Sequence, residues 1–202
     1  MRKFYSLRSR RESINVLDKP EHFDLKTGCS ECGTNSKRVK LIINKIPKND
    51  FDSTVQHDYL ISSKVISTMS ENGIEVNHMK EVILNKDMSF TGFYHLDGES
   101  ELPRFISGSK GVITESQCKS CGQDGFFDTM KEVAEYHYPK NNLFKTADIL
   151  TTWEHFGPSI KHPTGNRVFR LARPKIIVSG KVKNILENIK YSKLNFEQIK
   201  IG

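Results

Sequence analysis

The chain carries four cysteines and no others, placed in two matching turns: Cys29-Ser30-Glu31-Cys32-Gly33 and Cys118-Lys119-Ser120-Cys121-Gly122. A Cys-x-x-Cys turn points both sulfurs to one side. Two such turns supply the four thiolates of one tetrahedral Zn²⁺. The glycine after each second cysteine permits the positive φ of a tight turn. Four thiolates on Zn²⁺ leave a charge of about −2, which backbone N–H groups and the nearby Lys37, Arg38 and Lys119 would balance. Four protein ligands leave no open coordination position, so zinc at Cys29, Cys32, Cys118 and Cys121 is expected to hold the fold and do no chemistry. The rival reading is two redox or disulfide pairs. A redox motif follows a strand and opens a helix, whereas Gly28 and Gly33-Thr34-Asn35 read as loop. Eighty-five residues lie between Cys32 and Cys118, so a shared metal ties the start of the fold to its middle.

Between and after the knuckles the chain repeats one pattern. Tyr59-Leu60-Ile61 reads as a strand and Ser62 as an N-cap. Val65, Ile66 and Met69 then fall on one helix face, and Gly73 stands at the C′ position. Val76 to Leu84 reads as a second strand. Later, Ile176-Ile177-Val178 reads as a strand and Ser179 as a cap. Val182, Ile185, Leu186 and Ile189 follow at i, i+3, i+4 and i+7, and Leu194–Ile201 closes as a strand. Aligning Ser62 with Ser179 also aligns Lys64 with Lys181 and Val65 with Val182. The order knuckle, strand–helix–strand, knuckle, strand–helix–strand fits an internal duplication, although three identities also fit ordinary strand–helix grammar.

Elsewhere the expectations are simpler. Residues 2–8 read as an edge strand, 9–28 as loop and 38–43 as a strand. Residues 86–117 read as short strands with Phe90, Phe93, Tyr94, Phe105 and Ile106 in the core, and 126–138 lean to strand. Val168–Leu171 reads as strand re-entry after the turns at Gly157-Pro158 and Pro163-Thr164-Gly165. The fold class is therefore α+β, a β-rich mixed fold with a zinc-ribbon-like Cys₄ site and two strand–helix–strand units. It is one domain over 1–202, with pseudo-repeat halves 1–110 and 111–202 joined by the zinc.

At 202 residues the chain can bury a core, yet its hydrophobic fraction is a low 36%, which makes a metal crosslink a useful supplement. No apolar run is long enough to span a membrane. The basic start from Met1 to Arg8 has no apolar stretch behind it, so it does not read as a secretory signal, and retained thiols point to the cytoplasm. The formal net charge is +7, and residues 161–202 carry ten Lys or Arg against two Glu. Such a region suits an acidic protein surface, nucleic acid or anionic lipid, or simply a solvated face.

No catalytic constellation stands out. The nucleophile-elbow, Walker, dinucleotide and zincin motifs are all missing from the sequence. Glu154, His155 and His162 could flank a metal or act as acid and base, but their spacing matches no ligand pattern and Pro158 breaks any helix between them. Trp153, the only tryptophan, reads first as core and second as an interface anchor. Arg167, Arg170 and Arg173 read as a basic surface rather than a phosphate clamp.

Several segments together resemble a known family. They are Cys29-Ser-Glu-Cys-Gly, Leu102-Pro-Arg-Phe105, Cys118-Lys-Ser-Cys-Gly, Asp148-Ile-Leu-Thr-Thr-Trp-Glu-His-Phe-Gly157 and Ile176-Ile-Val-Ser-Gly-Lys-Val182. In this order the chain is similar to the double-CxxCG motif family of bacterial proteins, whose members act as immunity proteins in toxin systems. The resemblance implies a protein with structural zinc and no catalysis that binds and blocks a cognate toxin in the producing cell. Trp153, Arg167, Arg170 and Arg173 are then the candidate partner-binding residues, and the basic region implies an acidic toxin surface. The alternative is a zinc-ribbon nucleic-acid-binding regulator, whose affinity would fall steeply with salt.

Overall fold

The structure is a computed structural model and describes residues 2–9, 14–129, 133–157, 172–189 and 194–202. Strand β1 is Phe4–Ser9. Two single 3₁₀ turns, Pro20–His22 and Leu25–Thr27, flank β2 (Phe23–Asp24). Then come β3 (Lys37–Arg38), β4 (Leu41–Ile43), β5 (Phe51–Ser53), β6 (Tyr59–Ser62), helix α1 (Ser63–Glu71), β7 (Lys80–Leu84) and β8 (Phe90–Leu96). The chain continues with β9 (Ser100–Glu101), β10 (Val112–Thr114), β11 (Phe126–Asp128), β12 (His137–Tyr138), the short helix α2 (Leu143–Thr146) and β13 (Ile149–Phe156). It ends with β14 (Arg173–Ser179), α3 (Gly180–Asn188), β15 (Leu194–Gln198) and β16 (Lys200–Ile201). The fold is thus β-rich with few helices, as the sequence predicts.

Two larger sheets result. The first runs β4-β7-β8-β6-β5, and the second runs β10-β11-β13-β14-β1-β15 with β9 beside β13. Both predicted helices form behind the serine caps. Ser62 and Ser179 are extended, and each hydroxyl accepts from the backbone N–H three residues on, at Val65 and Val182. Each capping hydroxyl also donates to an aspartate at the start of the preceding strand: Ser62 to Asp50 at 2.7 Å and Ser179 to Asp148 at 2.5 Å. The same aspartates accept the serine N–H through their carbonyls, at 2.9 and 2.8 Å.

The correspondence extends well beyond the caps. From β6 through β7 and from β14 through β16 the two stretches align without a gap, 117 residues apart. Leu60 and Ile177, Ile61 and Val178, Val65 and Val182, Met69 and Leu186, and Val82 and Ile199 are equivalent and all buried. Neighbouring pairings match too. Phe51 opposes Ile61 as Ile149 opposes Val178. Parallel β4 lies beside β7 as parallel β12 lies beside β16, with Ile43 opposite Leu84 and Tyr138 opposite Ile201. Each cysteine knuckle lies within a β-hairpin, β2–β3 for the first and β10–β11 for the second. The unequal knuckle-to-helix distances arise largely in the β13–β14 hairpin, whose strands and link are both longer than those of β5–β6.

Burial follows this pairing. One core is shared, and in it Val65 and Met69 of α1 meet Val182 and Leu186 of α3 together with Phe51, Ile61, Ile149 and Val178. Each unit also has an outer core. Leu41, Ile43, Leu60 and Val82 build one, and the equivalent Tyr136, Tyr138, Ile177 and Ile199 build the other. Alternate residues of one strand therefore serve different cores, as the period of two requires.

Some expectations need correction. Strand β1 is not an edge strand: it pairs with β14 on one side and β15 on the other, and Phe4, Ser6 and Leu7 are buried. It therefore belongs to the second unit's sheet, although a division at residue 110 puts it in the first half. Phe90 and Ile106 are exposed rather than core. The second strand of the first unit begins at Lys80 instead of Val76. The predicted strand 168–171 lies outside the described residues.

Candidate metal centre

The two hairpins bring all four thiols together. The Sγ atoms of Cys29, Cys32, Cys118 and Cys121 lie within 4.8 Å of one another, and Cys32 and Cys121, from different knuckles, are 3.6 Å apart. A tetrahedral Zn²⁺ with bonds of about 2.3 Å sets its sulfurs about 3.8 Å apart, so the cluster has the spacing of a closed thiolate site. Among the described residues it is the one group of three or more metal-ligating side chains so assembled. The four cysteines could hold a metal ion, and cysteine chemistry at tetrahedral spacing suits zinc or iron.

Each knuckle is built by its own backbone. Gly33 N–H donates to the Cys29 carbonyl at 2.7 Å, and Gly122 N–H donates to the Cys118 carbonyl at 2.8 Å. Both glycines have positive φ, 73° and 63°, which confirms the reason for a glycine at that place. A side chain at Gly28 would meet Ser36 Oγ at 2.2 Å, because the base of the first knuckle closes on itself there.

Supporting groups missed in the sequence complete the site. Thr34 Oγ1 lies 3.1 Å from Cys32 Sγ, placed to donate to a thiolate. Asp124, fully buried, accepts the Cys118 N–H at 2.7 Å. Gln117 donates to the carbonyls of Gly122 and Asp124 at 2.8 and 3.0 Å. Thr34 and Asp124 stand two and three residues after a second cysteine, and that adjacency was the available signal. The thiols feel one another strongly. Burial and the neighbouring Cys32 push Cys121 up to about 12. At Cys118 burial acts upward, but hydrogen bonds from the Cys121 and Ser120 backbone outweigh it and bring the thiol down to about 7.

Arg38 does not balance the thiolates. Its guanidinium turns inward to Asp18 at 2.5 Å and Asp58 at 3.2 Å. Arg173 reaches the same two carboxylates, at 3.4 and 3.9 Å. His95 lies 3.5 Å from Asp58. Burial would raise the Asp58 carboxyl, but Arg38 and its other partners hold it well below the ordinary carboxylate range. Arg173 is thus an ion-cluster residue with 18% of its side chain exposed, not part of an open basic surface. The cluster lines a polar cavity of about 520 Å³ between the units, which first-knuckle residues Thr34 to Lys37 also line.

The remaining candidate residues separate. Glu154 is fully buried and accepts from Phe105 N–H at 2.7 Å and the Tyr138 hydroxyl at 3.2 Å, and burial raises its carboxyl. His155, the next residue along the strand, lies with Nδ1 3.2 Å from the Trp153 carbonyl, and burial lowers it to about 4. Its backbone N–H donates to Gln123 of the second knuckle at 2.6 Å. The two neighbouring side chains thus engage different partners. Trp153 is half-buried, edge-on to Phe126, with Arg104 stacked 5.2 Å from its ring centre. His162, Arg167 and Arg170 lie outside the described residues.

No protein-family model matches the chain, and no curated protein matches it. Among the described residues no helix is long and apolar enough to cross a membrane.

Proposed function

We propose that the protein is a zinc-pinned immunity protein, which binds a cognate bacterial toxin and blocks it without catalysis. One observation carries the reading: four thiols drawn from hairpins of two different units meet at tetrahedral spacing. Zinc held there leaves no ligand position for chemistry, so its work is to fix the two units against each other. A surface ordered in advance lowers the entropy cost of binding a partner. The family resemblance supplies the partner class, a toxin domain, and places the protein in the cytoplasm of the producing cell.

Charge narrows the contact surface. With Arg173 turned inward, exposed cations of the second unit carry the attraction for an acidic partner. Lys140 and Lys145 stand exposed beside Arg2 around a shallow cavity of about 680 Å³. Electrostatic attraction there would speed association and weaken with salt. The test is to sequence the genes that flank this one and co-express the protein with any toxin domain encoded there. Restored growth and a complex that elutes as one species support immunity. Unrelieved toxicity with no complex overturns it, and a salt-sensitive mobility shift of nucleic acid would favour a regulator instead. Metal analysis of the purified protein should give one zinc per chain.

A further inference from the structure

Strand β8 of the first unit lies between β6 and β7, antiparallel to both. In the second unit the equivalent place, between β14 and β15, is filled by β1, again antiparallel to both. The second unit thus has every strand of the first, but one comes from the opposite end of the chain.

The registers agree residue by residue. Ser62 opposes Phe93 and Ile61 opposes Tyr94. Ser179 opposes Phe4 and Val178 opposes Tyr5. On the other side, Lys80 opposes His95 and its equivalent Glu197 opposes Ser6. This alignment sets Phe93-Tyr94-His95-Leu96 on Phe4-Tyr5-Ser6-Leu7, with three identities in four positions. Burial agrees as well. Phe93 and Phe4 enter the two outer cores, while Leu96 and Leu7 both enter the shared core. The helix starts are tied to the same place on each strand: Ser63 Oγ donates to the Gly92 carbonyl and Gly180 N–H to the Lys3 carbonyl, both at 2.9 Å.

We infer that β1 is the transposed last strand of the second unit, and that the groove between β14 and β15 is a strand-binding site for the pattern Phe-Tyr-x-Leu. The groove offers backbone donors and acceptors on both sides, an outer pocket for the phenylalanine and an inner one for the leucine. This is strand addition with side-chain pockets on alternate faces. Nothing in that recognition needs the strand to arrive from the N-terminal side.

The first unit also gives the length of the missing link. Asn85 N–H donates to Ile43 as Gly202 N–H donates to Tyr138. Gly202 therefore corresponds to Asn85, and Met1 to Phe90 by count. Four residues, Lys86 to Ser89, bridge those positions in the first unit.

The test is a reordered chain that starts at Arg10, runs to Gly202, continues through a copy of Lys86-Asp87-Met88-Ser89 and ends with residues 1–9. It should fold, bind the same metal complement and melt within about 5 °C of the native order. A second chain keeps the native order with Phe4→Asp and Leu7→Asp and appends an unaltered copy of residues 1–9 through the same four-residue link. The double substitution alone should abolish cooperative folding, and the appended strand should restore it. Rescue alone sustains the inference if the reordered chain fails, because the defect then lies in the new termini. Failure of the reordered chain together with no rescue overturns it.

Discussion

Cys118→Ser tests whether the thiol cluster pins the whole fold or one knuckle. The substitution removes one of four sulfurs that lie within 4.8 Å of one another, and serine is a poor substitute for a thiolate. The shortest chain loop closed between the knuckles runs from Cys32 to Cys118. Closing a loop of that length is worth about 4–5 kcal/mol of unfolded-state entropy by the chain-entropy relation for crosslinks. A full structural zinc contributes about 10–16 kcal/mol in small metal-dependent folds, which sets a ceiling. For a chain of this size 1 kcal/mol moves the melting midpoint by about 2–4 °C, so the lower figure alone predicts a fall of about 8–20 °C. The assay is thermal unfolding by circular dichroism, with zinc content and hydrogen exchange measured on the same sample. Exchange should quicken in both α1 and α3, because their buried faces share one core. A midpoint within about 2 °C of the parent, or faster exchange confined to the β10–β11 hairpin, would refute the crosslink as the tie between units.

Four further outcomes follow from the geometry. Asp58→Asn takes one carboxylate from the cluster that holds Arg38 and Arg173, and breaking a buried ion cluster in this way should cost about 3–5 kcal/mol in urea unfolding. Asp58 is held below its ordinary range, so its contribution is complete above the unfolded carboxylate value and should vanish as pH falls through the lower folded value. His155, buried at about 4 in the fold, binds fewer protons there than when unfolded. Stability should therefore decline as pH drops from about 6.5 to about 4, by about 3 kcal/mol, and His155→Leu should flatten that limb. Lys175, lowered by burial to about 8 despite Asp128, releases its proton more readily in the fold. Its contribution to stability should rise between about pH 8 and 10.4, a rise that Lys175→Met removes. Ser62→Ala and Ser179→Ala should each cost about 1–2 kcal/mol, and nearly the same amount, because both serines cap a helix and bond an aspartate of the preceding strand.

Local chemistry made much of this fold legible. The knuckles, the serine caps and the apolar faces of α1 and α3 each follow from residues a few positions apart, and each stands where the sequence puts it. Features set by distant partners were not readable. Arg38, Arg173 and Lys175 look like surface charges until Asp18, Asp58 and Asp128 are brought beside them by the sheets. Residues 4–9 alternate as a strand should, but alternation says nothing about how many neighbours a strand has, and β1 has two. The likeness of the two units was half visible for the same reason. Ser62, Lys64 and Val65 align with Ser179, Lys181 and Val182 without any shift, whereas the Phe-Tyr-x-Leu identity sits at the other end of the chain and breaks the order of the repeat. The likeness runs through both kinds of core: Leu7 and Leu96 enter the shared core and Phe4 and Phe93 the outer ones, while the second unit has Tyr136 and Tyr138 where the first has Leu41 and Ile43. In the second outer core the buried phenols of Tyr136 and Tyr138 donate to Asp128 and Glu154. Glu154 thus takes its hydrogen bonds from Tyr138 and Phe105, partners that no local sequence pattern could supply.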